Sequence, residues 1–113
     1  MDEILEAARK LSCMLNGSEV YKDYRKNRIR LAENPDLSRK LHEFKKKQSA
    51  YEMKRLQNIA VTFDEEKQIS HLYSGLVQDE TAKNYLKSED EFLTIYSGVM
   101  DILNEACKID IFS

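Results

Sequence analysis

The side chains best placed to do chemistry are a group of lysines in the middle of the chain. They stand close together in the sequence, at Lys40, Lys45, Lys46, Lys47 and Lys54. Clusters of basic side chains neutralise phosphates, so such a group can bind RNA or DNA. The same lysines can instead form a solvated helix face or a surface for a protein partner. The segment Lys22–Arg55 as a whole holds twelve Lys and Arg against five Asp and Glu, a net charge of +7.

The charge of the rest of the chain argues against nucleic acid. Residues 56–113 hold four basic against eleven acidic side chains, a net charge of −7, and the whole chain carries −2 at pH 7. Acidic helices can therefore neutralise the lysines from within the protein. Aromatic side chains are also not interleaved with the basic ones, as stacking on single strands requires. We predict a surface that contacts protein or solvent, with RNA or DNA binding through Lys22–Arg55 as the alternative.

No other residues form a set with recognisable chemistry. Cys13 and Cys107 are the only cysteines, 94 positions apart, and we expect both to be reduced and packed. His42 and His71 are isolated, with no Cys or His at metal-ligand spacing. The sequence has no glycine-rich phosphate loop, nucleophile elbow or catalytic triad. It therefore predicts a protein that is not an enzyme and holds no metal or cofactor.

The composition favours helices. A chain of 113 residues corresponds to a single domain, 1–113. Its three Gly and one Pro are too few for the frequent turns of a many-stranded sheet. We expect an all-α fold of about five helices, arranged as a long antiparallel helical hairpin or bundle, with no sheet. No stretch approaches the roughly 18 apolar residues of a membrane span, and the N-terminus lacks a signal-peptide layout. We expect a soluble cytoplasmic protein without membrane insertion.

Capping residues divide the chain into helices near 2–15, 18–33, 35–60, 64–78 and 80–108. Asn34 can cap the third helix, and Pro35 suits its first position, where no N–H is needed. Gly17 is expected to close the first helix in the left-handed conformation. The other expected N-caps are Ser18, Asp64, and either Asp79 or Thr81.

Each predicted helix has an apolar face, and the fifth is the clearest. Its apolar residues recur in steps of three, four and seven over more than three heptads, as in a helix packed along its length. We expect a core or oligomer seam formed by Tyr85, Leu86, Phe92, Leu93, Tyr96, Val99, Met100 and Leu103. Of these, Leu93, Tyr96, Met100 and Leu103 are predicted to be buried, and Cys107 to be a core position.

The inward faces of the first three helices follow from the same spacing. The first helix is predicted to bury Ile4, Leu5, Ala8, Leu11, Ser12 and Leu15. The second is predicted to bury Val20, Tyr21, Tyr24, Arg28 and Leu31. The third is predicted to bury Leu37, Leu41, Phe44, Tyr51 and Ile59.

Three pieces of sequence, in order, make the chain similar to a known family. The first is SEVYKDYRKNRIRLAENPDLSRKLHEFKKKQSAYE, in which a helix with two tyrosines and an NPDL break lead into LHEFK. The second is the polar fourth helix, EEKQISHLYSGLV, and the third is the final helix, TAKNYLKSEDEFLTIYSGVMDILNEACKIDI. Together they cover nearly the whole chain. On this basis the sequence resembles the YlbF/YmcA family of small all-helical bacterial regulators.

The resemblance implies a non-enzymatic all-α protein with long antiparallel helices that forms homo-oligomers or hetero-oligomers. Family members regulate competence, sporulation and biofilm formation in Firmicutes. Some act with a sister member and a third protein in a complex that influences messenger-RNA processing by the membrane-anchored ribonuclease Y. The expected partners are therefore another copy of the chain, a sister family member or a ribonuclease complex.

The chain departs from the family pattern in two places. Gln78–Thr81 stands where members often have a proline-type break, although Asp79 or Thr81 can still cap the last helix. The cysteine-bearing C-terminal tail that some members use for iron–sulfur clusters is not present in the sequence. The cluster is therefore not carried over, and a stand-alone paralogue is as good an interpretation as membership of the cluster-bearing complex.

Overall fold

The computed structural model describes residues 2–107, which form five helices and no strand. The helices are α1 (Glu3–Gly17), α2 (Glu19–Ala32), α3 (Pro35–Leu56), α4 (Phe63–Val77) and α5 (Glu80–Cys107). The prediction of an all-α fold of about five helices is confirmed. The predicted end of the fifth helix at residue 108 lies outside the described residues. None of the described helices is long and apolar enough to cross a membrane.

The helices belong to two compact units. One contains residues 2–26 and 86–107, and the other contains Asn27–Tyr85. The helices α2 and α5 each contribute residues to both units. That residues 1–113 form a single domain stays a prediction.

The start of α3 forms as its sequence predicts. The Asn34 side chain accepts a hydrogen bond from the backbone N–H of Leu37 at 3.1 Å, and Pro35 occupies the first turn. Ser38 Oγ then donates to the backbone carbonyl of Leu31 at 2.9 Å, near the end of α2. The carbonyls at a helix end have no partner within the helix, so this bond satisfies one of them.

A single residue, Ser18, separates α1 from α2. Its hydroxyl accepts a hydrogen bond from the N–H of Tyr21 at 3.2 Å, which confirms it as the N-cap of α2. The same hydroxyl donates to the carbonyl of Leu15 at 2.7 Å and so closes α1 as well. The prediction for Gly17 is wrong, because no described glycine has a positive φ. Ser18 ends α1 in an extended conformation, and a left-handed residue is not needed.

The fourth helix starts earlier than predicted. Its N-cap is Thr62, whose hydroxyl accepts from the N–H of Glu65 at 3.1 Å, and Asp64 lies in the first turn. The prediction of Asp64 as the cap is therefore wrong. A carboxylate in the first turn still interacts favourably with the helix dipole. At the start of α5, Asp79 is the cap, since its Oδ1 accepts from two backbone N–H groups at 2.9 and 3.1 Å.

The third helix ends four residues before the predicted residue 60 because Asn58 closes it. Asn58 has a φ of 57°, which places it in the left-handed region. The N–H of Ile59 then donates to the carbonyl of Lys54 at 2.8 Å, and that of Asn58 donates to Arg55 at 3.2 Å. These two bonds define a Schellman motif, in which Asn is the usual substitute for Gly. Ile59 is consequently outside the helix and 49% exposed, so its predicted inward position is wrong.

The core of the unit Asn27–Tyr85 lies where the ends of four helices meet. Its buried apolar residues are Leu31, Leu37, Leu41, Phe44, Leu76, Ala82 and Tyr85. The prediction that Leu37, Leu41 and Phe44 face inward is confirmed. On α2 the buried polar residue is Asn27, whose Nδ2 donates to the carbonyl of Asn84 at 3.4 Å. Its neighbour Arg28 is exposed, contrary to prediction, since adjacent residues lie about 100° apart around a helix.

The helices α3 and α4 form an antiparallel hairpin. Tyr51 near the end of α3 contacts Glu66 near the start of α4, whereas Phe44, one turn or more earlier, contacts Tyr73 later in α4. The residue numbers rise along one helix as they fall along the other, so the two helices run in opposite directions. The predicted helical hairpin is therefore present here.

The other unit is packed less completely. Aromatic rings join α2 to α5: Tyr24 and Phe92 are stacked at 5.5 Å with an interplanar angle of 4°, and Tyr21 lies 5.1 Å from Phe92. The helix α1 has no buried residue. Of its predicted apolar face only Leu11 and Leu15 are half-buried. That face is therefore mostly in contact with solvent in the single chain.

Candidate interaction surfaces

The predicted seam on α5 is buried only at its beginning. Tyr85 is buried, and Leu86, Phe92 and Val99 are half-buried. The other four members are exposed to 50% (Leu93), 48% (Tyr96), 41% (Met100) and 47% (Leu103). The prediction that these four are buried is wrong for the single chain. The prediction of a packed Cys107 is wrong as well, since this cysteine is exposed.

The cause is a lack of covering helices and not a break in the apolar pattern. The last buried residue of α5 is Ser88, but the pattern continues to Leu103, about four turns further on. Only α1 and the first part of α2 belong to the same unit as this half of α5. Two helices cannot surround a third, and α1 itself buries nothing. We call the row Leu93, Tyr96, Met100 and Leu103 the α5 stripe.

The five candidate lysines do not form one surface. Lys40 and Lys46 are exposed. Lys45 is half-buried, with its Nζ 5.4 Å from the centre of the Tyr85 ring. Lys47 Nζ donates to Gln68 Oε1 at 3.1 Å on α4. Lys45 and Lys47 therefore contact other helices of their own chain, and Lys54 does the same.

Lys54, near the end of α3, forms an ion pair with Glu65, near the start of α4. Its Nζ donates to both carboxylate oxygens of Glu65 at 2.9 Å. The two side chains are 38% and 34% exposed. The hydrogen bond from Lys54 holds the pKa of the Glu65 carboxyl below its ordinary value of 4.5. Desolvation raises this pKa, whereas hydrogen bonds to Thr62 lower it further. An acidic helix thus neutralises part of the basic segment, as the charge distribution predicted.

An open groove of about 430 Å³ lies between α3 and α4. Its walls include the aromatic rings of Phe44, Tyr51 and Tyr73 and the carboxylates of Glu52 and Glu66, and its lining contains no Lys or Arg. The Phe44 and Tyr73 rings lie 5.7 Å apart. The Tyr51 hydroxyl donates to Glu66 Oε1 at 3.2 Å. Desolvation raises the pKa of Tyr51, and the bond to Glu66 raises it further.

A guanidinium group of the chain itself lies at the edge of this groove. The Arg55 side chain is 5.9 Å from the centre of the Tyr51 ring, and its Nη1 is 3.8 Å from Glu52 Oε1. Both members of this ion pair are more than half exposed, at 60% and 57%. Solvent screens such a pair, so its contribution to stability is small.

The remaining candidates for chemistry are not brought together. Cys13 and Cys107 are both exposed free cysteines, so the expectation that they are packed is wrong. Within residues 2–107 no three His, Cys, Asp or Glu side chains are arranged to hold a metal ion.

Sequence reasoning missed two features of these surfaces. The groove depends on which residues of α3 and α4 face each other, and the sequence gives no direct signal of that pairing. The N-cap of α4 had a signal: Thr62 and Glu65 form the Thr-x-x-Glu pattern of a capping box, which identifies Thr62.

Known proteins are similar to this chain over nearly its whole length. The sequence model of a family described as control of competence regulator ComK, YlbF/YmcA, matches residues 4–108. A UPF0342 protein of Symbiobacterium thermophilum is 28% identical over 104 residues, which are 92% of this chain and 93% of that protein. A UPF0342 protein of Clostridium tetani is 26% identical over 108 residues, which are 96% of this chain and 93% of that protein.

Two solved structures have the same fold. A protein of unknown function (DUF964) from Bacillus stearothermophilus superposes with a TM-score of 0.78 at 16% identity, covering 95% of this chain and 94% of that one. Bacillus subtilis RicA, solved in complex with RicF, superposes with a TM-score of 0.58 at 21% identity and covers 93% of each chain.

Proposed function

Because the chain belongs to the YlbF/YmcA family, described as control of the competence regulator ComK, we propose that it is a regulatory adaptor without catalytic activity. It acts by binding other proteins. The similarity to RicA, which has been solved in complex with RicF, supports binding to a second protein.

The observation that carries the proposal is the exposed α5 stripe. Its four members lie in steps of three and four, the spacing of a helix that packs against another helix. Together these four residues expose the equivalent of about two complete apolar side chains, on the order of 300 Å². A standard protein interface takes about 800 Å² from each partner. The stripe therefore supplies over a third of the area that such an interface takes from one partner.

The partner is a second copy of this chain or a sister family member. The exposed lysines Lys40 and Lys46 contribute to a protein-binding surface, whereas the other three candidate lysines are used within the chain. The resemblance to the family further supports a cytoplasmic role in competence, sporulation or biofilm formation, through ribonuclease Y-dependent messenger-RNA processing.

Sedimentation-velocity analysis of two single variants tests this proposal, each with a methionine replaced by lysine. Met100→Lys places a charge in the α5 stripe, and Met53→Lys makes the same change on α3, where the methionine is also exposed, at 57%. We expect the wild type and Met53→Lys to form an oligomer, and Met100→Lys to be a monomer with unchanged helicity. A hetero-oligomer requires the same comparison with a sister member added. Equal association of all three proteins would contradict the proposal.

A further inference from the structure

The groove between α3 and α4 has the chemistry of a site for an organic cation. Its rings present π faces, which attract a cation electrostatically. Two carboxylates line it, Glu52 on α3 and Glu66 on α4. Arg55 pairs with Glu52 at 3.8 Å, and the lining contains no basic side chain to neutralise Glu66. Glu66 is held in place by the hydroxyl of Tyr51 at 3.2 Å. Its Oε2 is left to accept from a ligand.

The chain's own Arg55 indicates which cation fits. Its guanidinium lies against the Tyr51 ring and near Glu52, so a planar cation is already placed between an aromatic ring and a carboxylate at one end of the groove. Guanidinium groups stack on aromatic faces and bind carboxylates through a fork of N–H donors, which an ammonium group cannot do. The part of the groove lined by Tyr73 and Glu66 also combines an aromatic ring with a carboxylate, and no basic residue belongs to its lining.

The openness of the groove indicates how the cation is presented. Tyr73 is 48% exposed although it forms part of the wall. A free small cation would bury little of its surface there and would bind weakly. A side chain on a protein gains from the other contacts that its backbone and neighbouring residues make.

We propose that the groove receives an arginine side chain of a bound protein, with its guanidinium between Tyr73 and the carboxylate of Glu66. This inference rests on the proposed adaptor function, because it assigns the kind of residue by which a partner is recognised. It places a second contact on α3 and α4, in addition to the α5 stripe.

A pair of blocked dipeptides tests the charge requirement. The probes are acetyl-Leu-Arg-amide and acetyl-Leu-citrulline-amide, because citrulline has the shape of arginine without its charge. In NMR titrations of the 15N-labelled full chain, we expect the arginine probe to shift the backbone amide signals of Ser70 and Tyr73. The citrulline probe should bind about tenfold more weakly, since it lacks the charge-assisted bonds. Equal binding of the two probes, or shifts away from the groove, would overturn the inference.

Two matched variants test the assigned carboxylate. Glu66→Gln removes the charge but keeps an oxygen that accepts from Tyr51, so the fold should be retained. Asp64→Asn removes one charge from an exposed position on the same helix outside the groove lining. We expect affinity for the arginine probe to fall about tenfold in Glu66→Gln and to change less than about twofold in Asp64→Asn. An equal loss in both variants would mean that only net charge matters, which contradicts a specific site.

The outcomes separate this inference from the proposed function. If citrulline binds as well as arginine while Met100→Lys still abolishes association, the groove inference fails and the adaptor proposal stands. If association proves independent of the α5 stripe while the arginine probe binds in the groove, the adaptor surface is wrong and the guanidinium site stands.

Discussion

Replacing one leucine of the core and one of the α5 stripe by alanine separates packing within a chain from packing between chains. Leu41 is 5% exposed, so Leu41→Ala removes buried methyl groups and leaves a cavity in the unit Asn27–Tyr85. Truncating such a leucine costs about 2–5 kcal/mol of unfolding free energy. Leu93 is 50% exposed, so only half of its side chain is taken from water in the single chain.

The expected cost of Leu93→Ala follows from that exposed fraction. Full burial of a leucine side chain contributes about 1.5–3 kcal/mol. Half of that value sets the cost in the monomer at about 1 kcal/mol, well below the range for Leu41→Ala. If a second copy covers the stripe, the cost of Leu93→Ala rises once the dimer forms, because the other half of the side chain is then buried as well.

Urea melts at two protein concentrations measure both effects. Far-ultraviolet circular dichroism reports the loss of helix in the wild type and both variants. For a dimer, raising the concentration from about 1 µM to about 100 µM increases the stability by about 2.7 kcal/mol per mole of dimer. We expect the wild type and Leu41→Ala to show this increase and Leu93→Ala to show much less of it.

Two results would refute this reasoning. A cost of Leu93→Ala at 1 µM as large as that of Leu41→Ala would mean that the stripe is buried within the chain. An equal dependence on concentration in Leu93→Ala and Leu41→Ala would mean that the stripe takes no part in self-association.

Four further outcomes are expected. Asn34→Ala should lower the unfolding free energy in urea by about 1 kcal/mol through loss of the cap on α3, and an unchanged midpoint would place the helix start elsewhere. At the left-handed position, Asn58→Ala should lose about 1 kcal/mol whereas Asn58→Gly should be neutral or stabilising; the reverse order in thermal melts would contradict the Schellman motif. Because the pKa of Glu65 is lowered in the folded protein, its contribution to stability is present above the ordinary value of 4.5 and is lost as the pH falls below it; Lys54→Gln should make the acid side of the stability profile shallower, and identical profiles would count against this bond. In fluorescence anisotropy at about 150 mM salt, the protein should not bind single-stranded RNA with micromolar affinity, and binding that falls linearly with salt on logarithmic axes would favour the nucleic-acid alternative.

Local chemistry accounts for what could be predicted of the fold. Asn34, Ser18 and Asp79 cap helices because their short polar side chains reach a free N–H a few residues on, and this needs no knowledge of the tertiary structure. The error at Asp64 arose because two nearby residues, Thr62 and Asp64, could both cap α4. The error at the end of α3 arose because Ile59 continues the apolar spacing of the helix. Thr62 begins α4 and Asn58 ends α3, and both belong to helix-end motifs whose residue types are visible in the sequence.

The surfaces were less predictable because periodicity identifies an apolar face but not what covers it. The repeat on α5 is the same for Tyr85, which is buried, and for Met100, which is 41% exposed. A sequence pattern cannot distinguish a neighbour in the same chain from one in another chain. The same limit applies to the lysines, since Lys54 and Lys46 look alike in sequence, and only the pairing of α3 with α4 separates the paired one from the exposed one.

Because Ser18 alone connects α1 to α2, a small change in its backbone angles would move the whole of α1. With one residue between two helices, the direction of α1 relative to the start of α2 depends on the φ and ψ of Ser18, −71° and 150°. The 15 residues of α1 span about 22 Å, so a rotation of about 10° at the joint would displace the far tip by about 4 Å. Inserting one residue into the last turn of α1 would turn all the preceding residues by about 100° about the helix axis relative to the joint and present a different face. The number of residues before this junction therefore determines which face of α1 points towards α2. An insertion or deletion of one residue would change that face more than most substitutions within α1.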